Sequence, residues 1–104
     1  MKLGIIISTN NPETNWNVLR LANFAAKQGD EVKIFLVGQG VEYESGNPEK
    51  FNIQEQVKEF LLSDKTQIFA CGTCLKLRSQ EATKTCPIST LNDLYLLIKE
   101  SDKF

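Results

Sequence analysis

Histidine is absent from all 104 residues. That single omission excludes Ser-His-Asp hydrolysis, Cys-His proteolysis and every histidine-containing metal site. Cysteine is scarce too, at three, an odd number that favours reactive thiols over a disulfide framework. A zinc site would need Cys71, Cys74, Cys86 and a carboxylate, or cysteines shared between subunits, so no metal is expected. Excess charge is also missing. The net charge is −1 with scattered basic residues, which gives no electrostatic footprint for nucleic acid. No apolar run is long enough to span a bilayer. Met1-Lys2-Leu3-Gly4-Ile5-Ile6-Ile7 enters a strand-like run without the features of a signal peptide, so a cytoplasmic protein is expected. The length fits one domain, residues 1–104, with a real core.

What is present alternates between strand and helix. Leu3 to Ser8 is a continuous apolar run, as in a strand buried on both faces. Asn11 is placed to cap a helix with Pro12 at its first position, and Val18, Leu21, Ala22 and Ala25 form its apolar face. Gly29-Asp30 ends that helix, and Val32 to Val37 is the second strand. Gly38-Gln39-Gly40 lacks the third glycine and acidic partner of a dinucleotide fingerprint, so it reads as a tight turn and no cofactor is expected. Tyr43 to Lys50 reads as a mobile loop. A second helix carries Ile53, Val57, Phe60 and Leu61 on one face, and Thr66 to Ala70 is the third strand. Cys86-Pro87-Ile88 reads as a short fourth strand. Thr90 and Asp93 fit a capping box, followed by a helix expected to bury Leu91, Leu94, Tyr95 and Ile98. A fifth strand is expected to begin near Lys103-Phe104.

This alternation predicts an α/β fold with a parallel sheet and helices on both faces. Function in such sheets gathers at the carboxyl ends of the strands. Ser8–Asn11, Gly38–Val41 and Cys71–Cys74 are the loops expected there.

Gln67 to Arg78 is the most informative stretch. An apolar run ends on Cys71, and Cys74 follows in the first turn of a helical pattern. Helix N–H groups at such a junction favour a thiolate, so Cys71 is expected to have a lowered pKa and to react first. Lys76 and Arg78 would add positive charge. The alternative for Cys71 is a small residue packed at a strand end. Cys74 is either a resolving thiol beside Cys71 or a residue facing the sheet, and the spacing leaves both open. Cys86, beside a proline, reads as structural and slowest to react.

Three stretches carry a resemblance to a known family: Leu21 to Val41, Ala70-Cys71-Gly72-Thr73-Cys74, and Ser89 to Tyr95 with Ser101-Asp102-Lys103. Together they resemble the DsrE/DsrF-like (TusD-like, YchN-like) sulfur-relay family. The resemblance implies a flavodoxin-like three-layer α/β/α domain with four to five mostly parallel strands, assembled as trimers or hexamers. It also implies a persulfide-accepting cysteine, matched by Cys71, that passes sulfur between donor and acceptor proteins. Arg78 matches an arginine of the same segment, while Ser79-Gln80-Glu81 departs from the glycine and aliphatic residue that often follow it. On this reading Cys71 accepts sulfur and Cys74 releases it by attacking the persulfide, with Gly72, Thr73 and Arg78 in support. The competing classes are a Cys71-Gly72-Thr73-Cys74 dithiol redox protein and a non-catalytic binding or regulatory module.

Overall fold

Branched apolar residues fill the first two strands of the sheet, as in strands buried on both faces. A computed structural model describes residues 1–44, 49–77 and 88–104. Its elements are β1 (Lys2–Ile7), α1 (Pro12–Lys27), β2 (Glu31–Leu36), α2 (Ile53–Phe60), β3 (Thr66–Cys71), α3 (Gly72–Leu77), β4 (Ile88–Ser89) and α4 (Leu91–Glu100). A 3-10 turn, Gly38–Glu42, follows β2. The strands lie in the order β1-β2-β3-β4, all parallel, with Ile5, Ile34 and Ile68 in register across the first three. The expected fifth strand begins as a parallel bridge between Lys103 and Leu3 on the free edge of β1.

That order fixes the layers. Right-handed crossovers that step steadily across a sheet keep their helices on one face, and a return to the first edge must use the other. Accordingly Val32, Ile34, Leu36, Ile68 and Ala70 pack against Leu19, Ala22 and Ala25 of α1 and Val57 and Phe60 of α2. Phe35 and Cys71 alternate to the opposite face, where Leu97 of α4 covers them. The result is a three-layer α/β/α fold. Burying each large apolar side chain contributes roughly 1.5–3 kcal/mol. Gly4 lets the returning chain lie close: a side chain there would meet the Phe104 ring at 2.5 Å, and its N–H donates to Lys103 O at 2.9 Å. No helix among the described residues is long and apolar enough to cross a membrane.

Several sequence expectations shift. In α1 the inner face is Asn15, Leu19, Ala22, Asn23 and Ala25, while Leu21 faces out. Two asparagines make that face possible. Asn23 Nδ2 donates to Gln56 O and Oε1 on α2, and Asn15 Nδ2 donates to Thr9 O at 2.8 Å. Tyr43, expected at the start of a mobile loop, is buried in the core. The Thr90–Asp93 capping box is present at α4, but only Leu97 of that helix is buried, with Leu94 half-buried. Leu91, Tyr95 and Ile98, expected to be buried, are exposed, because one short helix cannot cover a whole sheet face and hide its own outer side.

Candidate functional site

Cys71 is the last residue of β3, and α3 starts at the next position. Alternation along β3 sends Ala70 toward α1 and α2, so Cys71 takes the other face, with Phe35 and Leu97. It is 6 % exposed and pairs with Ser89 of β4. Cys74 lies one turn along α3, partly exposed, packed against both halves of the core. Both are thiols rather than a disulfide.

The β2 loop completes the arrangement. Gly38, with φ +54°, adopts the left-handed backbone that favours glycine, and its N–H donates to Cys74 Sγ at 3.2 Å. Next to the two thiols lies an open, mainly apolar cavity of about 660 Å³. Besides the thiols it is lined by Gly72, the exposed Thr73, Val37, Thr90, Leu91 and Asn92.

The electrostatics of Cys71 run against the expectation from sequence. Burial pushes its thiol up from the ordinary thiol range, and the Cys74 side chain adds to the rise. The backbone N–H groups of Cys74 and Thr73 pull it down, but burial outweighs them. With six residues, α3 has too short a dipole to reverse this.

Two consequences can be measured. Cys74 is expected to alkylate before Cys71 at neutral pH, the reverse of the order read from sequence. The Cys71 rate should climb as pH rises past the ordinary thiol range. Faster labelling of Cys71 at pH 7, seen by peptide mapping, contradicts this. The folded state also holds the Cys71 proton more tightly than the unfolded chain. The stability this brings is complete below the unfolded thiol pKa of about 8.5 and is lost as pH rises through the higher folded value.

Of the three loops expected at the site, the structure joins two, Gly38–Val41 and Cys71–Cys74. Ser8–Asn11 closes on its own helix instead. Asn11 Oδ1 caps Thr14 N at 3.0 Å, and Thr9 Oγ1 accepts from Asn11 N at 3.1 Å. Trp16, beyond that loop, meets the Phe51 ring at a 53° tilt with centroids 5.5 Å apart and carries the Arg20 guanidinium at 4.5 Å. Arg78 and Cys86 lie outside the described residues. Among the described residues, no three cysteine or carboxylate groups converge as metal ligands. Sequence reasoning placed the Gly38–Val41 loop at the site without its bond to Cys74, and it missed the Thr90–Asn92 wall. The one signal for Gly38 was its place directly after a buried strand.

Fold and site together define a parallel α/β protein with paired thiols at a strand–helix junction. The chain belongs to the DsrE/DsrF-like family, whose model matches residues 1–104. An uncharacterised protein of Methanocaldococcus jannaschii is 32 % identical over 111 residues, covering 98 % of this chain and 96 % of that protein. An uncharacterised protein of Methanopyrus kandleri is 32 % identical over 95 residues, covering 86 % of this chain and 78 % of that one. The crystal structure of the YchN protein of E. coli shares the fold, with a TM-score of 0.82 at 23 % identity over 99 % of this chain and 96 % of YchN.

Proposed function

We propose that the protein is a small cytoplasmic sulfur carrier, a single DsrE-like domain over residues 1–104 that accepts sulfane sulfur as a persulfide on Cys71 and passes it to a partner. In the loading step the Cys71 thiolate attacks the outer sulfur of a persulfide presented at the site. The thiol that carried that sulfur leaves as a thiolate, so the step is redox-neutral. The observation that carries the reading is the pair of unoxidised thiols beside an open cavity at the end of β3. Family membership supports it. Gly72 opens α3 beside the reacting sulfur, and the Thr73 N–H acts on it. Arg78 is assigned a supporting role through its match to the family motif. With a donor and an acceptor protein present, the chain would act as a sulfurtransferase.

The test is intact mass after exposure to inorganic polysulfide. A gain of about 32 Da that disappears on reduction is expected. A loss of about 2 Da without that gain would instead identify a Cys71–Cys74 dithiol redox protein. No change at all would leave a binding module.

The carrier is proposed to work as a homo-oligomer, a trimer or hexamer. Leu91, Tyr95 and Ile98, at 67 %, 59 % and 46 % exposure, form a stripe on α4 that supports this assembly. Light scattering at micromolar concentration should show the oligomer, and a monomer there contradicts it.

A further inference from the structure

A carrier with a single working thiol leaves the bond from Gly38 to Cys74 without a task. We propose that Cys74 is the exchange port of the site: sulfane sulfur enters and leaves the buried Cys71 through Cys74, whose sulfur the Gly38 N–H holds. The inference rests on the carrier reading and adds the route by which sulfur moves.

Access is the first argument. Attack on a persulfide needs the incoming sulfur to approach along the S–S axis. Cys71, 6 % exposed beneath Phe35 and Leu97, gives a protein donor little room for that approach. Cys74 is partly exposed and lines the same cavity.

The chemistry of the inward step is the second. The Cys71 thiolate attacks the terminal sulfur of a Cys74 persulfide, and a new S–S bond forms on Cys71. The bond between that sulfur and Cys74 Sγ breaks, and its electron pair stays on Cys74 Sγ. The terminal sulfur keeps its proton. One thiolate and one persulfide stand on each side, so no oxidant or reductant is consumed. An N–H aimed at Cys74 Sγ from 3.2 Å stabilises the negative charge left there, which makes Cys74 the better leaving group.

Storage is the third. Burial raises the Cys71 thiol, which makes its sulfur a stronger nucleophile and a poorer leaving group than that of an ordinary thiol. Sulfur therefore rests on Cys71, the less exposed of the two, and returns to Cys74 when an acceptor thiol draws it off. Gly38 supplies its N–H because its left-handed backbone, at φ +54°, turns the chain immediately after β2.

The experiment loads the full chain with inorganic polysulfide, unloads it with 2-mercaptoethanol, and follows both by quenched intact mass. Wild type should gain one sulfur. Cys74→Ser should reach the same final loading, with loading and unloading each slowed about tenfold or more. Wild-type rates in both Cys74→Ser and Cys74→Ala overturn the port and leave the carrier standing. Unloading that yields a Cys71–Cys74 disulfide and free hydrosulfide also overturns it, in favour of a resolving thiol. A wild type that takes up no sulfur defeats the carrier reading itself. The role of Gly38 is read separately by NMR in Cys71→Ser. Its amide resonance should move as Cys74 ionises, and an amide indifferent to that ionisation overturns the holding role.

Discussion

Cys71→Ser is expected to abolish retained sulfane sulfur while keeping the fold. A serine hydroxyl is too weakly acidic to be a nucleophile at neutral pH, and it forms no persulfide. Cys74 remains in this variant, but sulfur placed there is partly exposed and sits on the better leaving group, so it returns to any free thiol. After desalting, the variant should carry none of the sulfur that wild type keeps. The hydroxyl would be buried against Phe35 and Leu97, which costs about 1–3 kcal/mol if it finds no partner. Circular dichroism and a melting curve separate that loss of stability from the loss of chemistry. Full sulfur retention by a folded Cys71→Ser protein would remove Cys71 from the site.

Gly40→Ala is expected to be the most damaging of the alanine substitutions at Gly4, Gly29, Gly38 and Gly40. Gly40 is buried in the 3-10 turn after β2, and an added Cβ would overlap the Ile7 carbonyl. The obstacle is backbone, so no side-chain rotation relieves it. The turn is also tied to the sheet: Val37 N–H donates to Ile7 O at 3.0 Å, and Gly40 N–H donates to Val37 O at 2.8 Å. Relief must displace β1 from the turn, at about 3 kcal/mol or more. Against a typical domain stability of about 5–15 kcal/mol this is a large loss. Gly29→Ala is the control. Its φ of +93° strains an alanine, but no atom lies in the way, so a smaller loss of about 1–2 kcal/mol is expected. Urea titrations compare the two, and a Gly40→Ala midpoint equal to wild type contradicts the packing described. The same turn presents the Gly38 N–H, so Gly40→Ala should disturb the site as well as the fold.

Strands and caps were legible in the sequence because their causes are local. Apolar runs mark β1, β2 and β3 within a residue at each end, and Asn11, Pro12, Thr90 and Asp93 fix the starts of two helices. The inner face of α1 was harder, since two of its buried positions are asparagines. Asn23 is satisfied by Gln56, far away in sequence, so no periodicity of apolar residues could include it. Tyr43 failed for a related reason. The turn-forming residues after it suggested a loop, while its ring is held in the core by elements the local sequence does not reveal.

The site divides in the same way. The junction of β3 and α3 at Cys71, with Cys74 three residues on, was readable from an apolar run and a spacing. The state of the Cys71 thiol was not, because Phe35 and Leu97 cover it from other parts of the chain. Their burial of the sulfur reverses the shift that a helix start alone implies. Gly38 reaches Cys74 only through the parallel pairing of β2 with β3, a tertiary relation.

Location of the sulfur tests the carrier claim most directly. Wild-type protein loaded with inorganic polysulfide, desalted and digested, should yield a peptide bearing both Cys71 and Cys74 with one extra sulfur, about 32 Da. Fragmentation between the two residues should place that sulfur on Cys71. Extra sulfur confined to the peptide bearing Cys86, or absent from every cysteine peptide, would contradict the account.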